Sequence, residues 1–182
     1  MNVAGKLALV AAAIVAFAGF HLLRNRWRDV EAEDGRFSVR VPGPLGRTDG
    51  RFPMSYGHDT RVTYECRRGS FTFTVGHFEL PAGATKGPDE VLADVLHAAQ
   101  VQLGGRFDAA GETRAIEAAP GPALEIAFDG RRDGDARRVR ARAFFAAGTR
   151  RVYLLMVDAP AELIGNGHAE RFFTSFRPRE GA

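Results

Sequence analysis

Residues 136–160 read ARRVRARAFFAAGTRRVYLLMVDAP, and the alternation in this stretch decides the fold class. Val139, Ala141 and Ala143 alternate with Arg138, Arg140 and Arg142. That is the period of two that puts one set of side chains on a core face and the other on the opposite face. Ala147-Gly148 breaks the pattern, and an apolar run rich in strand-forming residues follows over 149–158. Two strands joined by so short a turn pair antiparallel.

Working outward, the same period recurs. Phe37, Val39 and Val41 alternate with Arg36, Ser38 and Arg40 before Pro42-Gly43-Pro44, which predicts an opening strand that stops at proline. Residues 45–59 carry no clear period, with a short irregular strand expected near 51–56. Val62, Tyr64 and Cys66 share a face; Arg67-Arg68-Gly69 reads as a turn; Phe71, Phe73, Val75 and His77 then line one face of a strong strand over 70–80. Further strands are expected at 107–118 and 122–129. A helix is predicted from Pro88, which suits a first helical position, to Gly104-Gly105. A closing helical segment is expected over 160–176, weakened by Gly165 and Gly167. Strands with short turns and helices at two points define an α+β class: an antiparallel sheet flanked by helices, an α/β/α sandwich.

Ahead of this domain, residues 7–23 read LALVAAAIVAFAGFHLL without a charge. As a helix the run is about 26 Å long at 1.5 Å per residue, against roughly 30 Å of bilayer hydrocarbon. The expectation is an N-terminal transmembrane helix or signal peptide over 1–23, a charged juxtamembrane linker over 24–35, a domain over 36–177 and a tail over 178–182. Ala16-Phe17-Ala18 offers a cleavage site. The apolar run continues through Phe20, Leu22 and Leu23, which favours an uncleaved anchor. Arg24, Arg26 and Arg28 outnumber Lys6 on the other flank and by charge alone hold the domain in the cytoplasm, whereas the signal-like order of Lys6, apolar run and small residues favours export. The expected placement is the inner (cytoplasmic) membrane with the domain outside. Trp27 sits either at the membrane interface or against the domain.

Composition excludes some functions. The net charge is only +3, and the basic residues, nearly all arginine, are interspersed with acids; the clustered stripe of a nucleic-acid surface is missing. The single cysteine, Cys66, cannot form an internal disulfide or a cysteine-based zinc site, and its alternation with Tyr64 makes it a core residue. His21, His58, His77, His97 and His168 lack the spacing of a metal pair, so no metal and no cofactor is expected. Ser55, His58 and Asp59 fall together, but Pro53 occupies the position where a nucleophile elbow needs glycine. Asp129, Asp133 and Asp135 are interrupted by Arg131 and Arg132, which oppose a calcium ion. The candidate ligand-binding residues are Arg138, Arg140, Arg142 and Tyr153. A two-residue turn at Ala147-Gly148 sets Arg142 opposite Tyr153 and Arg140 opposite Leu155, and arginine beside an aromatic ring recognises anions.

Two stretches, Phe37–Pro42 (FSVRVP) and the run from Val152 (VYLLMVDAP) to the ending RFFTSF at Phe176, resemble the PsbP-like domain shared with Mog-type proteins. The likeness spans residues 36–177 and implies that fold and a non-enzymatic role in binding or assembly. The expected function is a membrane-tethered binding module of the bacterial envelope with a protein partner there; the alternative is a carrier of a small anionic ligand or lipid headgroup on the arginine face.

Overall fold

Alternation becomes strands along most of the chain. The computed structural model describes residues 26–54, 57–103, 113–118, 121–146 and 148–179. In order they form β1 (Arg28–Glu31), β2 (Phe37–Val41), β3 (Gly46–Met54), β4 (Gly57–Arg68), β5 (Phe71–Glu79), α1 (Pro88–Gln102), β6 (Arg114–Ala118) and β7 (Gly121–Arg132). Then come β8 (Asp135–Phe145), β9 (Arg151–Pro160), α2 (His168–Ser175) and β10 (Arg177–Pro178). Among the described residues one sheet runs β3-β4-β5-β9-β8-β7-β6 and a second runs β1-β2-β10. Every pairing is antiparallel.

The large sheet buries both faces. On one face α1 sets Val91, Leu92, Val95 and Leu96 against Ile126, Phe128, Val139 and Leu154. On the other, the small sheet and α2 bring Phe37, Val39, Phe172 and Phe176 onto Phe73, Tyr153, Leu155 and Val157. Burying such side chains contributes about 1.5–3 kcal/mol each. Helix α1 starts at Pro88 with Glu90 accepting a hydrogen bond from the Gly87 amide at 3.2 Å, and Asp89 and Glu90 complement the helix dipole.

The expected α/β/α sandwich is therefore corrected. The second covering layer is a three-stranded sheet carrying one short helix, and the protein is mostly β. The reason is β2. Its alternation fits any half-buried strand, but its backbone pairs with β1 and β10 and not with the large sheet. Strand β1 lies inside the stretch read as a linker. Residues 46–54, read as ambiguous, form a nine-residue edge strand. The closing segment is turns over 161–165 followed by the short α2, as Gly165 and Gly167 foreshadow. No helix among the described residues is long and apolar enough to cross a membrane; the transmembrane helix expected over 1–23 lies outside those residues.

The 136–160 hairpin also differs in its turn. Phe145 pairs with Val152, Phe144 with Tyr153, Arg142 with Leu155 and Arg140 with Val157. The loop is two residues longer than expected. Gly148 takes a left-handed φ of 68°, and the Thr149 hydroxyl donates to the Ala146 carbonyl at 3.0 Å and accepts from the Arg151 amide at 3.1 Å. A shift of two residues keeps every side chain on its face, so the arginines stay together but Tyr153 is not opposite Arg142.

Candidate functional site

Arg138, Arg140 and Arg142 do share a face of β8, and each meets an acid. Arg138 makes a two-pronged pair with Asp129 across β7, both contacts 2.6 Å. Glu125, buried on β7, accepts from Arg114 at 2.5 Å, Arg140 at 3.0 Å and Arg142 at 2.5 Å. Glu170 on α2 meets Arg140 at 2.7 Å and Arg142 at 3.2 Å. The Arg142 guanidinium also lies 4.3 Å from the ring centre of Phe173. Burial alone pushes the Glu125 carboxyl up; hydrogen bonds from Arg142 and Arg114 and the nearby charges outweigh it and hold the group below its usual value. Three carboxylates thus stand between this stripe and an outside anion. Arg140 and Arg142 form the platform on which α2 rests through Glu170 and Phe173. Tyr153 is fully buried, its hydroxyl donating to the Arg36 carbonyl at 2.9 Å.

His77 lies buried on β5, 2.9 Å from Asp34 in the β1–β2 turn. Burial pushes its imidazole below the ordinary value, partly countered by the Asp34 carboxylate. The pair, together with the Tyr153 hydrogen bond, straps that turn across the large sheet. Cys66 is buried in the core, and burial pushes its thiol up. His58 pairs with Pro53 across the β3–β4 hairpin, while Ser55 lies outside the described residues. No group of three or more metal-ligating side chains occurs among the described residues.

Two crevices flank the outer side of α2, and a third of about 460 Å³, lined by acids as well as arginines, lies away from it between Glu65, Arg67, Arg132 and Asp158. One crevice of about 510 Å³ is walled by Trp27, Phe71, Phe73 and His168, with Arg68 and Arg171 at its rim and no carboxylate in its lining. The rings hold one another: Trp27 meets Phe73 edge-on at 5.4 Å and His168 at 5.5 Å, and Phe71 meets His168 edge-on at 5.3 Å. The Arg171 guanidinium sits 5.3 Å from the Trp27 ring centre, and Arg171 has no carboxylate partner among the described residues. A second crevice of about 490 Å³ adjoins it across Arg171, lined by Arg40, Arg177 and Arg179 together with Asp29 and Glu31. Arg40 pairs with Asp29 at 2.9 Å and Arg179 pairs with Glu31. Arg177 donates to the carbonyls of Thr174 and Phe176, both at 2.7 Å. The face therefore keeps an excess of positive charge.

Sequence reasoning singled out Trp27 but not its crevice. The signal available was composition: Arg24, Arg26, Trp27 and Arg28 in one short run, and His168 and Arg171 in the closing segment. Nothing local says that these two runs meet.

Comparison with known proteins leaves the chain to be read from its own geometry. No protein-family model matches the sequence, and no curated protein matches it. Among solved structures it is similar to a Pseudomonas aeruginosa protein of unknown function described as a putative regulator, at 13% identity and a TM-score of 0.48, covering 85% of this chain and 99% of that one. It is also similar to LpqN of Mycobacterium tuberculosis, described as involved in cell envelope biogenesis, at 13% identity and a TM-score of 0.45, covering 85% of this chain and 91% of that one. Neither is described as PsbP-like or Mog-type, and likenesses at this level carry no argument about function.

Proposed function

We propose that this protein is a non-enzymatic binding module of the bacterial envelope, held at a membrane by its apolar segment 7–23, and that the face around α2 receives its ligand. The crevice beneath Trp27 carries the reading: aromatic walls, arginines at the rim and no acid. Ligand sites are concave and mostly apolar, with a few placed polar groups that orient the ligand, and this crevice has that make-up. The arginine stripe of β8 supports the reading indirectly, because it fixes the helix that forms one wall. The anion-carrier reading on Arg138, Arg140 and Arg142 draws less support, since Asp129, Glu125 and Glu170 already occupy those arginines.

The test is a photo-crosslinking residue placed at Ser70, exposed at the crevice rim, and at Asp89, exposed in the first turn of α1 on the opposite face of the large sheet, as a control, in the full chain expressed in membranes. A discrete adduct from Ser70 and none from Asp89 supports the assignment. Adducts from Asp89 alone would move the binding face elsewhere.

A further inference from the structure

The position of the crevice along the chain names its ligand. Trp27 follows Leu23, the last residue of the apolar run, by four residues. Four residues reach at most about 14 Å when fully extended. A chain held at a membrane by residues 7–23 therefore keeps Trp27, and the crevice it walls, within about that distance of the membrane surface, close enough to meet the headgroups. We infer that the crevice docks on that same membrane and takes the phosphate-bearing headgroup of an anionic phospholipid. The inference rests on the membrane-held reading above.

Three observations fit that occupant. Tryptophan belongs at the interface because its ring is apolar and its N–H is polar; Trp27 is the only tryptophan in the chain and is half-buried. The guanidinium fork matches phosphate oxygens in a plane, and Arg171, exposed and without a carboxylate partner among the described residues, stands at the crevice rim and borders the adjoining basic crevice. The acid-free lining removes the repulsion that a carboxylate would impose on a phosphate. Arg26 and Arg28, exposed on either side of Trp27 in the chain, add basic charge at the same end, and each basic residue near an anionic surface strengthens attraction to it.

Trp27, being single, reports on this site without a label. The full-length chain is placed in lipid nanodiscs of phosphatidylcholine alone, or of mixtures with increasing phosphatidylglycerol, with acyl-brominated lipids as quenchers. The expected result is a shift of Trp27 emission to shorter wavelength and stronger quenching as phosphatidylglycerol rises. Arg171→Gln is expected to raise the phosphatidylglycerol fraction needed for half of the effect about fivefold, the loss expected for one basic contact at an anionic surface. Arg171→Lys recovers part of it by restoring charge without the fork. Arg171 is exposed, and an unchanged urea midpoint confirms that Arg171→Gln is folded. Emission and quenching indifferent to phosphatidylglycerol, or unaltered by Arg171→Gln, would overturn the inference while leaving the binding module in place. A chain washed off membranes by alkaline carbonate would instead refute the membrane-held reading itself. A protein adduct from Ser70 with no lipid dependence at Trp27 would assign the face to a protein partner.

Discussion

Glu125 is the residue on which Arg114, Arg140 and Arg142 converge, and its replacement should be costly. Its side chain is 4% exposed and faces three guanidinium groups. Removing one member of a buried ion cluster leaves the others uncompensated, at a cost of about 3 kcal/mol. Glu125→Gln is therefore expected to lower the urea midpoint strongly, whereas Asp129→Asn, in an exposed pair, should lower the unfolding free energy by less than about 1 kcal/mol. The pH dependence follows from the depressed value of Glu125. A carboxyl held below its unfolded value of 4.5 contributes stability that is present above that pH and lost as the pH falls through the folded value. Unfolding measured from pH 6 downward should show this loss in the wild type, and Glu125→Gln should flatten it. His77 acts in the same direction at higher pH. Its folded value lies below 6.5, so the unfolded chain takes up the proton first, and stability falls as the pH drops below 6.5. His77→Phe should remove that part of the slope. A midpoint constant between pH 7.5 and 5.5 in the wild type would contradict this account.

Helix α2 shows at the element scale why one short segment has two jobs. Its inner side carries Phe172, fully buried, and Phe173, and its outer side presents Arg171 and Thr174 to the crevices. The two phenylalanines fix the helix, and the exposed residues stay clear of the core. Phe172→Ala is expected to cost about 3–5 kcal/mol in chemical denaturation, the usual loss for a buried phenylalanine. Arg171→Gln should cost no more than about 0.5 kcal/mol, as for ordinary surface positions. Comparable losses for the two would mean that Arg171 is part of the structural frame. The periods of α1 and of the strands were readable from the sequence, with α1 expected from Pro88 to the Gly104-Gly105 stop and observed as Pro88–Gln102. The hairpin turn at 146–150 was not readable, because its length depends on hydrogen bonds of the Thr149 hydroxyl that no period records.

For the whole molecule, the large sheet is the shared wall of two cores, one under α1 and one under the small sheet with α2. Its central strands β5, β9 and β8 pair on both sides, while β3 and β6 are edges. Native-state amide exchange should be slowest in β5, β9 and β8 and much faster in β3 and β6, since edges open by local fluctuation and the centre only by global unfolding. Equal protection in β3 and β9 would show that the edge is covered.

The local order of residues by itself determined β2, β4, β5, β7, β8 and β9, the antiparallel sense of the hairpins among them, the first helix, the burial of Cys66 and the common face of Arg138, Arg140 and Arg142. All of these follow from periods of two or 3.6 residues, which any short window contains. Only the tertiary structure decided that β2 leaves the large sheet to pair with β1 and β10. The alternation of FSVRV buries the same residues in either sheet, and one of its two backbone partners comes from more than a hundred residues away, as when Ser38 pairs with Arg177. It also decided what the arginine stripe touches, because Glu170 and Phe173 arrive from α2. The crevice has the same origin. Trp27 and His168 lie at opposite ends of the described chain and become neighbours, 5.5 Å apart, through long-range packing alone.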